Sequence, residues 1–355
     1  MSLTLPSTPT LTIHGPEQFA DWNSAARRAA SQTEVDSENA SDRWLGVLKH
    51  ALRHEPYLLE ATAGERTVGR LPLCLVKSAI FGRYLVSLPY INSAGVVAES
   101  EDVARLLIDG AAQLADQLDV RYLELRHERE IAHPRLTEKN ESKVQMRLAL
   151  PTSAEELWSR FRSKLRSQIR SGEKHGFQVC WGRTELLRDF YSVFSRNMRD
   201  LGTPVYSARL FSEILAWFGE AAELCVLRQG ARPVAAALLV HHDGITEVPS
   251  ASSLREFNSL NPNMVMYWNL LTRTIERGQR VFDFGRSSVD SGTYRFKSQW
   301  GAQPSPSVWQ YYLRQGSIKA LRPDNSRFGL AIRIWRRLPV AATRIVGPWL
   351  VRGIP

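Results

Sequence analysis

Residues 281–304, VFDFGRSSVDSGTYRFKSQWGAQP, gather the side chains best equipped for chemistry. Val281, Phe282 and Phe284 read as a buried strand that carries one carboxylate, Asp283. The pattern breaks at Gly285 into a polar turn with Arg286, Ser287, Ser288 and Asp290. Tyr294, Arg295, Phe296 and Lys297 follow, and Trp300-Gly301 closes the segment. A strand end that hands hydroxyls, cations and a carboxylate to a loop is where α/β proteins place ligands. The plain alternative is a well-made surface loop. Asp283 can orient the turn or assist a proton, and a carboxylate in an apolar strand needs local hydrogen bonds.

Three more segments offer binding chemistry. Residues 155–176 read as one helix with Leu157, Trp158, Phe161, Leu165 and Ile169 as its apolar stripe. Arg160, Arg162, Lys164, Arg166, Arg170 and Lys174 cover the rest, and such nearly unopposed cations suit a phosphate backbone or a diphosphate. Near 194–207, Arg196, Asn197, Arg199, Thr203, Tyr206 and Ser207 crowd a helix exit, where polar groups hold a ligand or cap the helix. Residues 250–263 lead into a helix whose first N–H groups can face an anion or a developing oxyanion. No Ser-His-Asp or Cys-His set is legible, which favours direct transfer over a covalent intermediate. Cys74, Cys180 and Cys225 are far apart in apolar strand-like contexts and read as buried thiols. His241-His242 are adjacent on a strand and point to opposite faces. No HExxH pair occurs, so no metal is expected.

The elements that must position these groups repeat. In the first half, a hairpin over 57–76 precedes a strand at 84–88, a loop, a helix over 101–118 and a strand at 120–125. In the second half, 224–240, 244–250, 263–277 and 281–284 follow the same order. This reads as a structural duplication of one mixed α/β unit. With 355 residues, two domains are the default: residues 1–150, residues 151–315, and a basic tail over 316–355. The first-half counterpart of the polar loop offers Arg126-His127-Glu128 and no lysine-glycine motif, so the chemistry is expected on the second domain.

Composition is that of an ordinary globular protein, 43% hydrophobic and 23% charged. The net charge of +10 favours an anionic partner. The first residues lack the basic start and apolar core of a signal peptide, so the cytoplasm is expected.

Several motifs together resemble the FemAB family of peptidyl and acyl transferases. They are Asp283-Phe284-Gly285, Phe296-Lys297 with Trp300-Gly301, the basic run Lys164-Leu165-Arg166-Ser167-Gln168-Ile169-Arg170, and the Arg-Asn-Met to Gly-Thr-Pro segment over 196–204. The resemblance covers residues 57–313 and implies α/β mixed sheets arranged as two tandem GNAT-like domains. It is similar more narrowly to the branch associated with exosortase/PEP-CTERM and exopolysaccharide loci. It implies an acyl or aminoacyl transferase with an activated donor, aminoacyl-tRNA or acyl-CoA, and no tightly bound cofactor. The acceptor it implies is an envelope glycan or peptide precursor, lipid- or nucleotide-diphosphate linked. Lys297 matches the family lysine that supports the donor near the reaction centre, with Tyr294 and Arg295 in the same channel and Asp283 as the strand-end acid. Arg166, Arg170 and Arg286 are candidates for phosphate contacts, and Asn197, Tyr206 and Ser287 for further substrate contacts. The helical arm that some cell-wall members insert in the second domain is absent here, which weighs against tRNA handling as those members practise it, although shorter members manage without it.

The competing reading is a nucleic-acid-binding or scaffolding protein on the same fold without catalysis. The basic helix supports it, and the lack of an aromatic stacking platform weighs against it. In the tail, Arg327, Arg333, Arg336, Arg337, Arg344 and Arg352 alternate with apolar residues and two tryptophans. Residues 328–338 are expected to pack on the first domain, and residues 341–354 to meet an anionic membrane surface at the inner membrane.

Overall fold

A computed structural model describes residues 8–22, 37–78, 81–316 and 325–354; for residues 37–39 and 325–328 it describes the backbone alone. Residues 317–324 and the side chains of Arg327 and Phe328, part of the tail reading, lie outside the described residues.

The first unit opens with β1 (Thr10–His14) and α1 (Ser37–Leu52). The hairpin β2 (Glu55–Ala63) and β3 (Arg66–Ser78) follows, then β4 (Gly82–Val86), the short β5 (Val97–Ala98) and α2 (Glu101–Gln117). β6 (Tyr122–His127) and β7 (Glu138–Asn140) come next. α2 starts where Ser100 Oγ accepts from the Val103 N–H, with Glu101 and Asp102 in its first turn. It buries Val103, Leu107, Ala111 and Leu114 against the sheet.

The chain then enters β8 (Lys143–Ala149), α3 (Ala154–Arg160), α4 (Ser163–Glu173), β9 (Gln178–Gly182), α5 (Leu187–Leu201) and α6 (Ala208–Phe218). β10 (Ala222–Gln229), β11 (Arg232–His242), β12 (Ile245–Ser253), α7 (Pro262–Glu276) and β13 (Val281–Ser288) repeat the order of β2 to β6. In each unit the ladders are antiparallel until the strand after the helix, which pairs in parallel: β4 with β6, and β12 with β13. α8 (Gly292–Ser298), β14 (Gln303–Pro306), β15 (Val308–Leu313), α9 (Asn325–Trp335) and α10 (Val340–Val351) complete the chain.

Two strands sit outside the unit that precedes them in sequence. The first sheet runs β1-β2-β3-β4-β6-β15-β7, and the second runs β14-β8-β13-β12-β11-β10-β9. β8 therefore lies in the second sheet beside β13, and β15 lies in the first beside β6. The chain crosses between sheets just after Asn140 and back after Pro306.

The two sheets share a core. Leu58, Cys74 and Leu88 of the first unit and Leu224, Val226 and Leu238 of the second pack in one cluster with α1, α5 and α6. α1 lies against α6 so closely that a Cβ on Gly46 would meet the Trp217 ring at 2.6 Å. Arg43, 1% exposed, crosses the same contact and donates Nη1 to the Trp217 carbonyl at 3.3 Å, at the negative end of α6.

Three local readings differ from the structure. Residues 155–176 form two helices, because Phe161 turns extended and sends its ring between Trp268 and Trp300. The strand at 281 does not end at Gly285; it continues to Ser288 through a bulge, with Gly285 at φ +74°. The segment containing Lys297 is the helix α8. The tail helices rest on the second unit and not, as expected for residues 328–338, on the first, because their polar partners lie at the end of α5: the Trp335 indole donates to the Thr203 carbonyl and Arg199 to the Leu338 carbonyl, both at 3.1 Å. At the far end Tyr90 of the first unit donates to the Arg352 carbonyl at 2.8 Å.

Because β15 completes the first sheet, the units are expected to melt together. Calorimetry of the full chain should give one transition, and residues 1–142 alone should lack the dispersed NMR spectrum of a folded domain. Two separated transitions would contradict this coupling.

Candidate functional site

Asp283 is a buried carboxylate of the second unit, at 1% exposed. Its Oδ1 accepts the Gly285 N–H at 2.7 Å, which closes the bulge. Its Oδ2 accepts from Gln145 Nε2 at 2.6 Å and Arg147 Nε at 2.9 Å, both on β8. Burial, then the nearby Glu247 carboxylate, push its pKa up, and the bonds from Gln145 and Arg147 pull against them. Arg147 also forks onto Glu128 just beyond β6, with Nη1 to Oε2 at 2.8 Å. One guanidinium thus ties a carboxylate of each unit.

Lys297, on α8, also meets the bulge. Its Nζ donates to the carbonyls of Gly285 at 2.9 Å and Arg286 at 3.0 Å. Burial lowers its pKa to about 8, with Asp283 opposing. Asp283 and Lys297 therefore hold the same backbone kink, one through an N–H and one through two carbonyls. Arg286 leaves the bulge with its guanidinium 3.5 Å from the centre of the Trp309 ring on β15, and Arg126 of β6 lies over the same ring at 4.0 Å. Burial, then the Arg126 charge, bring the pKa of Arg286 down to about 10. Ser287 is buried beside them.

The other residues singled out from sequence are dispersed. Tyr294 packs half-buried on the second core, while Arg295 is exposed on α8. Arg170 lies over the Trp158 ring at 5.4 Å and Arg166 is half-buried, both on α4. Asn197 on α5 donates to Ser252 Oγ on β12 at 3.1 Å. Tyr206 stands edge-on to Tyr90 near the tail helices.

A cleft of about 870 Å³ opens where the loop after β4 and the start of α2 face the second unit. Its walls include His127 and Glu128 from the first unit and His242 and Glu247 from the second. The cleft thus draws most of its wall from the first unit, whereas the motifs had directed attention to the second.

Glu247 is the last rung of the parallel β12–β13 ladder, opposite Asp283; beyond it the two strands part. Its Oε1 is 3.5 Å from His242 Nε2. Burial lowers the His242 pKa, but the Glu247 carboxylate, joined by Asp243 and Asp283, outweighs it and the net shift is upward. His127 is held differently. Gln310 on β15 accepts the Ile131 N–H with Oε1 and donates Nε2 to the Ile131 carbonyl, which fixes its amide. His127 Nδ1 lies 2.9 Å from that same Oε1 and must be the protonated nitrogen. The neutral ring therefore keeps Nε2 as a bare acceptor, buried and without a partner among the described residues. These four residues carry no motif; the adjacent His241-His242 pair and the Arg126-His127-Glu128 run were their only trace in the sequence.

Two outcomes test this frame. Asp283→Asn leaves Arg147 without half of its charge pairing and should cost roughly 3–5 kcal/mol in urea unfolding. Burial holds His127 at a pKa of about 4, below the 6.5 of a free histidine, so the folded state binds fewer protons between those values. Stability from this group is full above pH 6.5 and is lost as pH falls through 4, by up to about 3 kcal/mol. His54, also held at about 4 by burial, shares the window, so His127→Gln should flatten the acid loss without abolishing it.

Residues 159–298 match the family model described as an acetyltransferase (GNAT) domain. FemX superposes with a TM-score of 0.63 at 14% identity, over 87% of this chain and 98% of its own. The C-terminal domain of a protein described as a lysylphosphatidylglycerol synthetase, from Agrobacterium fabrum, superposes at 0.54 with 12% identity, over 84% and 94%. A tandem GNAT protein from the clavulanic acid pathway superposes at 0.50 with 11% identity, over 87% and 100%. No curated protein matches the sequence. At these identities the likeness is one of fold: two mixed α/β sheets in a tandem GNAT arrangement, FemX-like in architecture, with residues 159–298 of the second unit matching the GNAT domain model.

Proposed function

We propose that this chain moves an acyl or aminoacyl group directly from an activated donor to an amine or hydroxyl on a cell-envelope precursor. The position of Glu247 carries the proposal. It is at once the last rung before β12 and β13 part and a wall of the cleft between the units. A donor carbonyl entering the gap between the parted strands and an acceptor seated in the cleft would meet at this carboxylate. The GNAT-domain match supports acyl transfer as the reaction class. The names of two structural neighbours, FemX and the lysylphosphatidylglycerol synthetase, support an envelope setting.

In this mechanism the acceptor nitrogen or oxygen bonds to the acyl carbon while its proton passes to the His242–Glu247 pair. The bond from that carbon to the donor's sulfur or oxygen breaks, and the donor leaves as a thiol or hydroxyl after regaining a proton. The oxyanion is met by backbone N–H groups where β12 and β13 diverge. Asp283 and Lys297 act as positioning residues that fix the bulge, and the Lys297 charge favours the oxyanion. Arg286, Ser287, Tyr294 and Arg295 border the donor side, with Asn197 supporting β12 from below. Arg166 and Arg170 on α4 serve the donor's phosphates, because α4 packs on the first turn of α7: a Cβ on Gly172 would lie 3.0 Å from the Asn261 carbonyl. The donor is aminoacyl-tRNA or acyl-CoA. The acceptor is a peptidoglycan peptide or, as in the exosortase/PEP-CTERM branch, an exopolysaccharide glycan, carried on a lipid or nucleotide diphosphate.

The test pairs two donors, acetyl-CoA followed by thiol release and charged tRNA followed by deacylation, with a soluble peptidoglycan peptide precursor. Glu247→Gln should lower kcat/KM by roughly 10²–10⁴ with the fold intact. Activity should fall on acidification as His242 gains its proton. Removing the carboxylate that raises the His242 pKa should move that acid limb to lower pH. Full activity in Glu247→Gln with an unmoved limb would overturn the assignment.

A further inference from the structure

We propose that α9 and α10 form a docking face for an anionic lipid bilayer. α10 is amphipathic in the inverse sense. Thr343, Gly347 and Val351 point inward, and Gly347 lies so near Val205 that a Cβ would sit 2.8 Å from its backbone. Ile345, Val346, Trp349 and Leu350 point outward, with Ile345 71% and Trp349 68% exposed. α9 adds Leu330 and Ile334, one turn apart and both more than half exposed. Scattered exposed apolar residues are ordinary on a protein surface, but six on two consecutive helices are not.

The helices are held in place. Besides the bonds from Trp335, Arg199 and Tyr90, Arg344 Nε donates to Ser195 Oγ on α5 at 2.9 Å. The exposed face is therefore a fixed surface, presented by a buried one.

Charge selects the occupant. Residues 325–355 contain Arg327, Arg333, Arg336, Arg337, Arg344 and Arg352 and no Asp or Glu. Arg333, Arg336 and Arg337 are exposed beside the apolar residues, and Arg352 lies over the Trp349 ring at 4.4 Å. Apolar side chains for the acyl boundary, an indole for the interface and arginines for anionic headgroups are what a helix lying in a membrane surface requires. With 11 and 12 residues, α9 and α10 are too short to span a bilayer, and no described helix is long and apolar enough to do so. The face stands on the tail alone and does not depend on the acyl chemistry.

Co-sedimentation of the full chain with phosphatidylglycerol–phosphatidylcholine vesicles, and with phosphatidylcholine alone, tests it. The mixed vesicles should bind at least about tenfold more tightly, and added salt should erase the difference. Ile345→Asp with Trp349→Asp should weaken binding roughly tenfold or more, since each 1.4 kcal/mol is a factor of ten. Arg333→Glu with Arg337→Glu should weaken it on anionic vesicles only. All four positions are exposed, so circular dichroism should match the parent, and Glu247→Gln should bind as the parent does. A parent that ignores anionic vesicles, or an Asp pair that binds undiminished, would overturn the proposal. So would sedimentation velocity showing a dimer that the Asp pair abolishes without any vesicle binding.

Discussion

Each unit of this molecule is finished by a strand from the other half of the chain, and the site depends on that exchange. β8 brings Gln145 and Arg147 to Asp283, which sets the bulge in β13. β15 brings Trp309 beneath the guanidinium groups of Arg126 and Arg286, and Gln310 to the Nδ1 of His127. The side chains that look outward from each unit are thus oriented by residues that arrive from elsewhere in sequence. The cleft is a property of the pair of units and of neither alone.

The electrostatics follow from the same arrangement. Asp283, Glu124 and Glu128 are carboxylates withdrawn wholly or partly from water, and each meets an arginine within hydrogen-bonding distance. A buried pair of this kind adds little net stability against an apolar replacement, but losing one partner is costly. What such pairs supply is geometry. Arg147 bridges carboxylates of the two units, so one planar guanidinium ties Asp283 of the second to Glu128 of the first. Glu247, opposite Asp283 in the ladder, has no arginine partner among the described ion pairs, where its contact is His242. That imbalance leaves a carboxylate and an imidazole available in the cleft wall.

The repeated order of hairpin, strand, loop, helix and strand was legible because it rests on local pattern: long apolar strands and a helix stripe such as Val103, Leu107, Ala111 and Leu114. The break at Phe161 was not, because the apolar stripe runs through it unbroken, and the bend comes from ring packing on Trp268 and Trp300, residues distant in sequence. The extension of β13 past Gly285 was hidden for a similar reason. A glycine followed by polar residues reads as a turn, and it becomes a bulge only with Gln145 and Arg147 holding Asp283 from the neighbouring strand. Asp283 and Lys297 were visible as a pair near one another. Their joint grip on one kink was not, since it requires α8 to fold back over the strand.

The exchange also dictates an order of events during synthesis. β6 emerges from the ribosome long before β15, the strand that will lie beside it. Until then the nascent first unit has an unpaired edge where Tyr122–His127 will later find its partner. Vectorial folding of the first unit from the N-terminus therefore stays incomplete at this edge, and a cell making the chain must keep it from other strands until β15 is out.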